Sequence, residues 1–165
     1  EKMTISEIIV KMIDFSEGNE HDIAHFLRVW GYAKTIGECT GLDEKEERIV
    51  ELSAIVHDIA CPKLRPIYGC APGDKQEEMG KEMVKEFFAD TDVNKEEVMR
   101  VAELVGLHHT YHPISLAHQV LLEADFLANA GEDEKYTKMA KKMRENVFQT
   151  KTGIHLLESM FLEAR

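Results

Sequence analysis

Apolar positions along the chain recur at intervals of three and four, and sustained single alternation is absent, which is the pattern of amphipathic helices and not of strands. "TISEIIVKMIDF" carries Ile5, Ile8, Ile9 and Met12 on one face behind a Thr4-x-x-Glu7 start. "HDIAHFLRVWGYAKTIGEC" sets Ile23, Phe26, Leu27, Trp30, Ala33 and Ile36 at the same spacing and is stopped by Thr40-Gly41. "LDEKEERIVELSAIVHDIA" starts at an Asp43 cap and is predicted to run to Pro62. Next comes "CPKLRPIYGCAPGDK", with three of the four prolines and a cluster of glycines, predicted as the one long irregular loop. Helical spacing resumes in "KQEEMGKEMVKEFFAD", "NKEEVMRVAELVGLHH" and "ISLAHQVLLEADFLANAG". The tail adds "EDEKYTKMAKKMREN" and "TGIHLLESMFLEA", the latter behind a Thr152 cap. The sum is an all-α fold, a single compact bundle of roughly eight helices over residues 1–165.

Composition narrows the partners. At 165 residues and 44% hydrophobic, the chain suits one globular domain. Its 31 acidic and 20 basic residues give a formal net charge of −11, which argues against a nucleic-acid polymer or an anionic membrane as the main partner. A small anionic ligand requires basic residues or a metal gathered locally. Cys39, Cys61 and Cys70 are odd in number and lack CxxC spacing, as in an intracellular protein with reduced thiols. No stretch reads as a signal peptide, and no apolar run nears the roughly 20 residues that span a bilayer. A cytoplasmic location is the expectation; oligomeric state is not set by these patterns.

Candidate chemistry starts from a repeat. HDIA occurs at residues 21–24 and again at 57–60. The second copy closes an apolar run, Leu52, Ala54, Ile55 and Val56, so His57 and Asp58 are expected to be partly buried, and a buried Asp must be paired or must hold a metal. Adjacent helical residues point about 100° apart, so both reach one ion only at a helix end. A core His bonded to its own Asp neighbour is the competing reading. The first copy sits in the first turn of a helix, where His21 and Asp22 suit capping and dipole roles. His25 follows one turn later with Arg28 beyond it, able to serve a metal and a phosphate. "VGLHHTYHP" gathers His108, His109 and His112, either ligands or helix-end residues complementing the dipole. Asp125 lies among Leu121, Leu122, Phe126 and Leu127, while Glu123 is about 200° round the helix from it.

The order H…HD…D, carried by His25, His57-Asp58 and Asp125, resembles the HD-domain superfamily of metal-dependent phosphohydrolases. "HFLRVWGYA" around His25 and the apolar lead-in to His57 add to the likeness, which covers residues 22–129. The resemblance implies a divalent metal (Mn, Fe, Co, Ni, Zn or Mg) held by His25, His57, Asp58 and Asp125. It also implies hydrolysis of a phosphate ester of a nucleotide or other small phosphorylated metabolite by metal-activated water. Arg28 would bind phosphate, with Asp58 and His108 as catalytic groups and His109 facing substrate. Two departures stand out: Cys61 occupies a position where several members carry Glu or Lys, and "QEEMG" places Gln76 where two-metal members use His. One ion is therefore favoured over two. From the proline-rich loop, Lys75 is taken as a further phosphate contact and Glu77 as an acid or base. A non-catalytic nucleotide-binding or sensor module, and a protein whose metal is structural, are the other readings.

Overall fold

The computed structural model describes residues 2–163. Ten α-helical elements follow one another: α1 Ile5–Phe15, α2 Glu20–Thr40, α3 Glu44–Val56, α4 Cys61–Tyr68, α5 Gly73–Phe88, α6 Lys95–Val105, α7 Leu116–Glu132, α8 Glu134–Thr137, α9 Ala140–Asn146 and α10 Lys151–Leu157. A π-helical turn, Glu158–Leu162, ends the described chain, and no strand occurs among the described residues.

Local signals fix most of the starts. Thr4 and Glu7 form a reciprocal capping box at α1, and Asn19, Asp43, Asn94 and Ser115 cap α2, α3, α6 and α7 through their side chains. α3 packs against α1, α2, α6 and α7, while α2 lies along α7 and α5 along α6. Ile49, Leu52, Ile55 and Val56 of α3 meet Val29 and Ile36 of α2 and Leu121 and Leu127 of α7 in one core. α7 is buried nearly all round, so its polar residues His118, Gln119, Glu123 and Asp125 are enclosed with the apolar ones.

Four sequence expectations are corrected. Helix α3 stops at Val56, before Pro62, because the chain tightens: Ile59 N–H donates to Val56 O and Cys61 N–H to Asp58 O. Half of the expected proline-rich loop is helix α4, since Pro62 sits in its first turn, where a missing N–H leaves no carbonyl unpaired. The tail segment 132–146 is broken into α8 and α9. The cap of α10 is Thr150, whose hydroxyl accepts from Gly153 N–H, and not Thr152.

Candidate metal centre

Four helix-end or helix-embedded side chains converge at the middle of the bundle. His25 comes from α2, His57 and Asp58 from the tight turn after α3, and Asp125 from α7. His25 Nε2 lies 3.1 Å from His57 Nε2 and 3.2 Å from both Asp58 Oδ2 and Asp125 Oδ1. His57 Nε2 lies 3.2 Å from Asp125 Oδ1 and 3.4 Å from Asp58 Oδ2. Ligands about 2.1 Å from a common ion are about 3.0 Å apart at right angles and about 3.4 Å apart at the tetrahedral angle. The quartet has the spacing of a coordination shell.

The hydrogen bonds behind the rings explain which atoms are presented. His57 Nδ1 lies 2.7 Å from Ala54 O and donates to it, and His25 Nδ1 lies 2.7 Å from Glu132 Oε2. Each ring therefore carries a proton on Nδ1 and turns Nε2 inward, the arrangement that suits an imidazole ligand. Asp125 Oδ1, buried, finds no hydrogen-bond donor. Two ring nitrogens and two carboxylate oxygens facing one another repel unless positive charge sits among them.

The titration of the residues reports the same demand. Burial opposes a charged His25, but the carboxylates of Asp125, Asp58 and Glu132 outweigh it and raise its pKa to about 12. Burial likewise opposes a charged His57, and the charges of Asp58 and Asp125 raise it to about 10. Against their own burial, Asp58 and Asp125 are held below the ordinary carboxylate range, with the His57 charge the largest opposing influence on each. A divalent cation replaces those protons with charge of the same sign. Donor set, spacing and charge all fit a metal.

Asp58 is 31% exposed while the His57 side chain is fully covered, so the centre opens on the Asp58 side. His108 and His109 border that opening: Asp58 Oδ1 lies 3.5 Å from His108 Nε2, and Gln76 Oε1 faces the Nε2 atoms of both histidines. His108 repeats the His57 device, with Nδ1 2.6 Å from Val105 O, three residues back at the end of α6. Burial and the nearby His108 lower His109 to about 4, which keeps it neutral. Arg28 stands at the edge, 54% exposed, 3.3 Å from Glu132.

Other anticipated residues lie differently. Glu77 Oε2 is engaged by His109 N–H at 3.1 Å and by the Thr110 hydroxyl at 2.8 Å, so it braces the histidine turn. Lys75 points to Glu78 at 3.7 Å and lines a surface cleft with Lys63, Ile67 and Tyr68. Asn19, not Asp22, caps α2; the Asp22 carboxylate instead receives both guanidinium nitrogens of Arg65, at 2.8 and 2.6 Å. Cys61 is buried, and that burial, with the Asp58 charge, pushes its thiol well up and leaves it unreactive. Glu132 and Arg65 were not singled out from sequence. Roomy clefts lie elsewhere, between Thr40, Ile114 and Gln149 and between Lys11, Phe15 and Met83, so chemistry and not cavity size marks the site.

An all-α bundle with a His/Asp cluster fitted to a metal is the class that fold and site define. A family model of the HD domain matches residues 22–146, and the chain belongs to the HD-domain family, a superfamily of metal-dependent phosphohydrolases. No curated protein and no solved structure matches it. Among the described residues, no helix is long and apolar enough to cross a membrane.

Proposed function

We propose that the protein hydrolyses a phosphate ester of a nucleotide or another small phosphorylated metabolite. The observation that carries this reading is the inward convergence of His25 Nε2, His57 Nε2, Asp58 Oδ2 and Asp125 Oδ1 at 3.1–3.4 Å, opening toward further polar groups. These four residues would hold the divalent ion. When bound, such an ion lowers the pKa of water and neutralises charge on phosphoryl oxygens. The chain supplies the rest. Asp58 presents Oδ1 to His108, whose imidazole is buried behind the opening and held by Val105 O. His109, neutral and turned to Gln76, lines the same side. Arg28, exposed beside His25, offers a cation that an incoming phosphate can reach. With a net charge of −11, the protein needs such local positive charge to admit an anion.

The test is phosphate release from a panel of nucleotides and sugar phosphates, run separately with Mn, Co, Ni and Mg. Asp58→Ala should abolish both metal retention and turnover; undiminished turnover by that variant would end the hydrolytic reading. One observation favours a second reading. Glu77, the anticipated acid or base, is already committed to His109 and Thr110, as in a site that binds without reacting. Nucleotide binding without phosphate release across all the metals would support a sensor module.

A further inference from the structure

Asp58 faces two groups with its two oxygens. Oδ2 joins the quartet, while Oδ1 belongs to a second trio, Asp58, His108 and His109, whose donor atoms lie within 4.8 Å of one another. The trio has donors of the right kinds for a cation of its own. Two features set it apart from the quartet.

The first is Gln76, buried on α5. Its Oε1 lies 2.7 Å from His109 Nε2 and 3.0 Å from His108 Nε2, and its Nε2 donates to Ala71 O at 2.6 Å. The amide is held at both ends, because turning it over would set Oε1 against the Ala71 carbonyl. Gly73 adds to the clamp: a Cβ there would lie 3.2 Å from His109 Cγ, so glycine lets the ring lie close against the start of α5 without displacement. A neutral amide oxygen thus fills the space between the two imidazoles.

The second is charge. One divalent ion in the quartet is balanced by Asp58 and Asp125. A second ion in the trio would bring no new carboxylate, since Asp58 is shared and the Gln76 amide is neutral. Glu77 Oε2 is committed to His109 N–H and Thr110, and Glu132 is matched by Arg28. Two ions would leave two positive charges uncompensated in a largely buried centre, which is costly.

We infer that Gln76 restricts the centre to one resident ion, its amide standing between His108 and His109 and keeping them as neighbours of the ion instead of ligands to a second. The inference rests on the metal-binding reading above. Metal-stripped protein dialysed against excess Mn(II), followed by metal and protein quantification, should hold one ion per chain with a magnetically uncoupled Mn(II) spectrum. Gln76→Glu supplies the missing carboxylate and should hold two ions with a coupled spectrum. Gln76→Leu, which adds no charge, should remain at one. Two ions in the unaltered protein, or one in a folded Gln76→Glu variant, would overturn the inference. No ion in the unaltered protein would instead overturn the metal reading itself. Circular dichroism reports whether each variant folds, and the stoichiometry of the unaltered protein decides the matter if Gln76→Glu does not.

Discussion

Glu132 shows how much a single residue outside the ligand set contributes. It closes α7, receives His25 Nδ1 at 2.7 Å and is itself approached by Arg28 at 3.3 Å. A carboxylate behind a ligand imidazole fixes the ring and raises its basicity. Glu132→Ala should weaken metal binding by about 10–100-fold, measured by calorimetric titration with Mn(II). Glu132→Gln, which keeps an acceptor, should lose less; equal affinity in all three proteins would remove the role. His25, His57, Asp58 and Asp125 stood out in sequence because ionisable groups in apolar helical runs need partners. Glu132 did not, because it lies in "AGEDEK", an acidic stretch that reads as solvated surface. Lys75 and Glu77 could not be oriented from sequence for a related reason: one turn of helix decides whether a side chain meets the histidine turn, as Glu77 does, or the surface beside Glu78, as Lys75 does, and α5 begins at Gly73, two residues before the expected start.

At the scale of elements, the anchoring of α10 to α7 is the clearest device. Glu123, fully buried, accepts from Gln119 Nε2 at 2.6 Å, Gln149 N–H at 2.9 Å, and Thr150 N–H at 3.0 Å and through the Thr150 hydroxyl. This acid on the far side of α7 from Asp125 holds the start of the last helix. A Cβ at Gly153 would collide with Glu123 Oε1, so glycine is required there. Glu123→Ala leaves buried donors unpaired and should cost about 3 kcal/mol, read from urea unfolding. Gly153→Ala should also destabilise, and should cost less in the Glu123→Ala background than alone, because the oxygen it strikes is gone. Additive losses would show that the two do not touch in solution. The helices themselves were readable from spacing and caps, α1 and α2 nearly to the residue and α6 at its start, though α6 ends at Val105 and not at the expected His109. The end of α3 and the whole of α4 were not: nothing in "HDIACPKLRP" marks a tightened turn that lets His57 reach back to Ala54 O, and a proline in a first turn looks like one in a loop.

For the whole molecule, the centre ties stability and metal affinity to pH. In the metal-free protein His25 and His57, raised to about 12 and about 10, add stability that is complete below the ordinary imidazole value of 6.5 and is lost as the pH rises through 10 to 12. Asp58 and Asp125, held below 3.8, add stability that is present above that value and lost on acidification. Near neutrality an incoming ion must displace a proton from each imidazole, so affinity should rise with pH by about tenfold per unit for each proton released. Titrations in buffers of different ionisation enthalpy measure that release; pH-independent binding without it would contradict the charge state of the centre. Chelation should lower the melting temperature of the loaded protein, since the ion binds only the folded chain.

The four candidate ligands, residues 25, 57, 58 and 125, lie on segments that meet only when α2, α3 and α7 have docked. We expect the quartet to close only after the folding transition state, because it needs all three helices docked at once. An ion bound there does little for the folding barrier and much for the unfolding one. Metal should leave the refolding rate nearly unchanged while slowing unfolding, which makes the ion a latch on the finished bundle and not a template for its assembly.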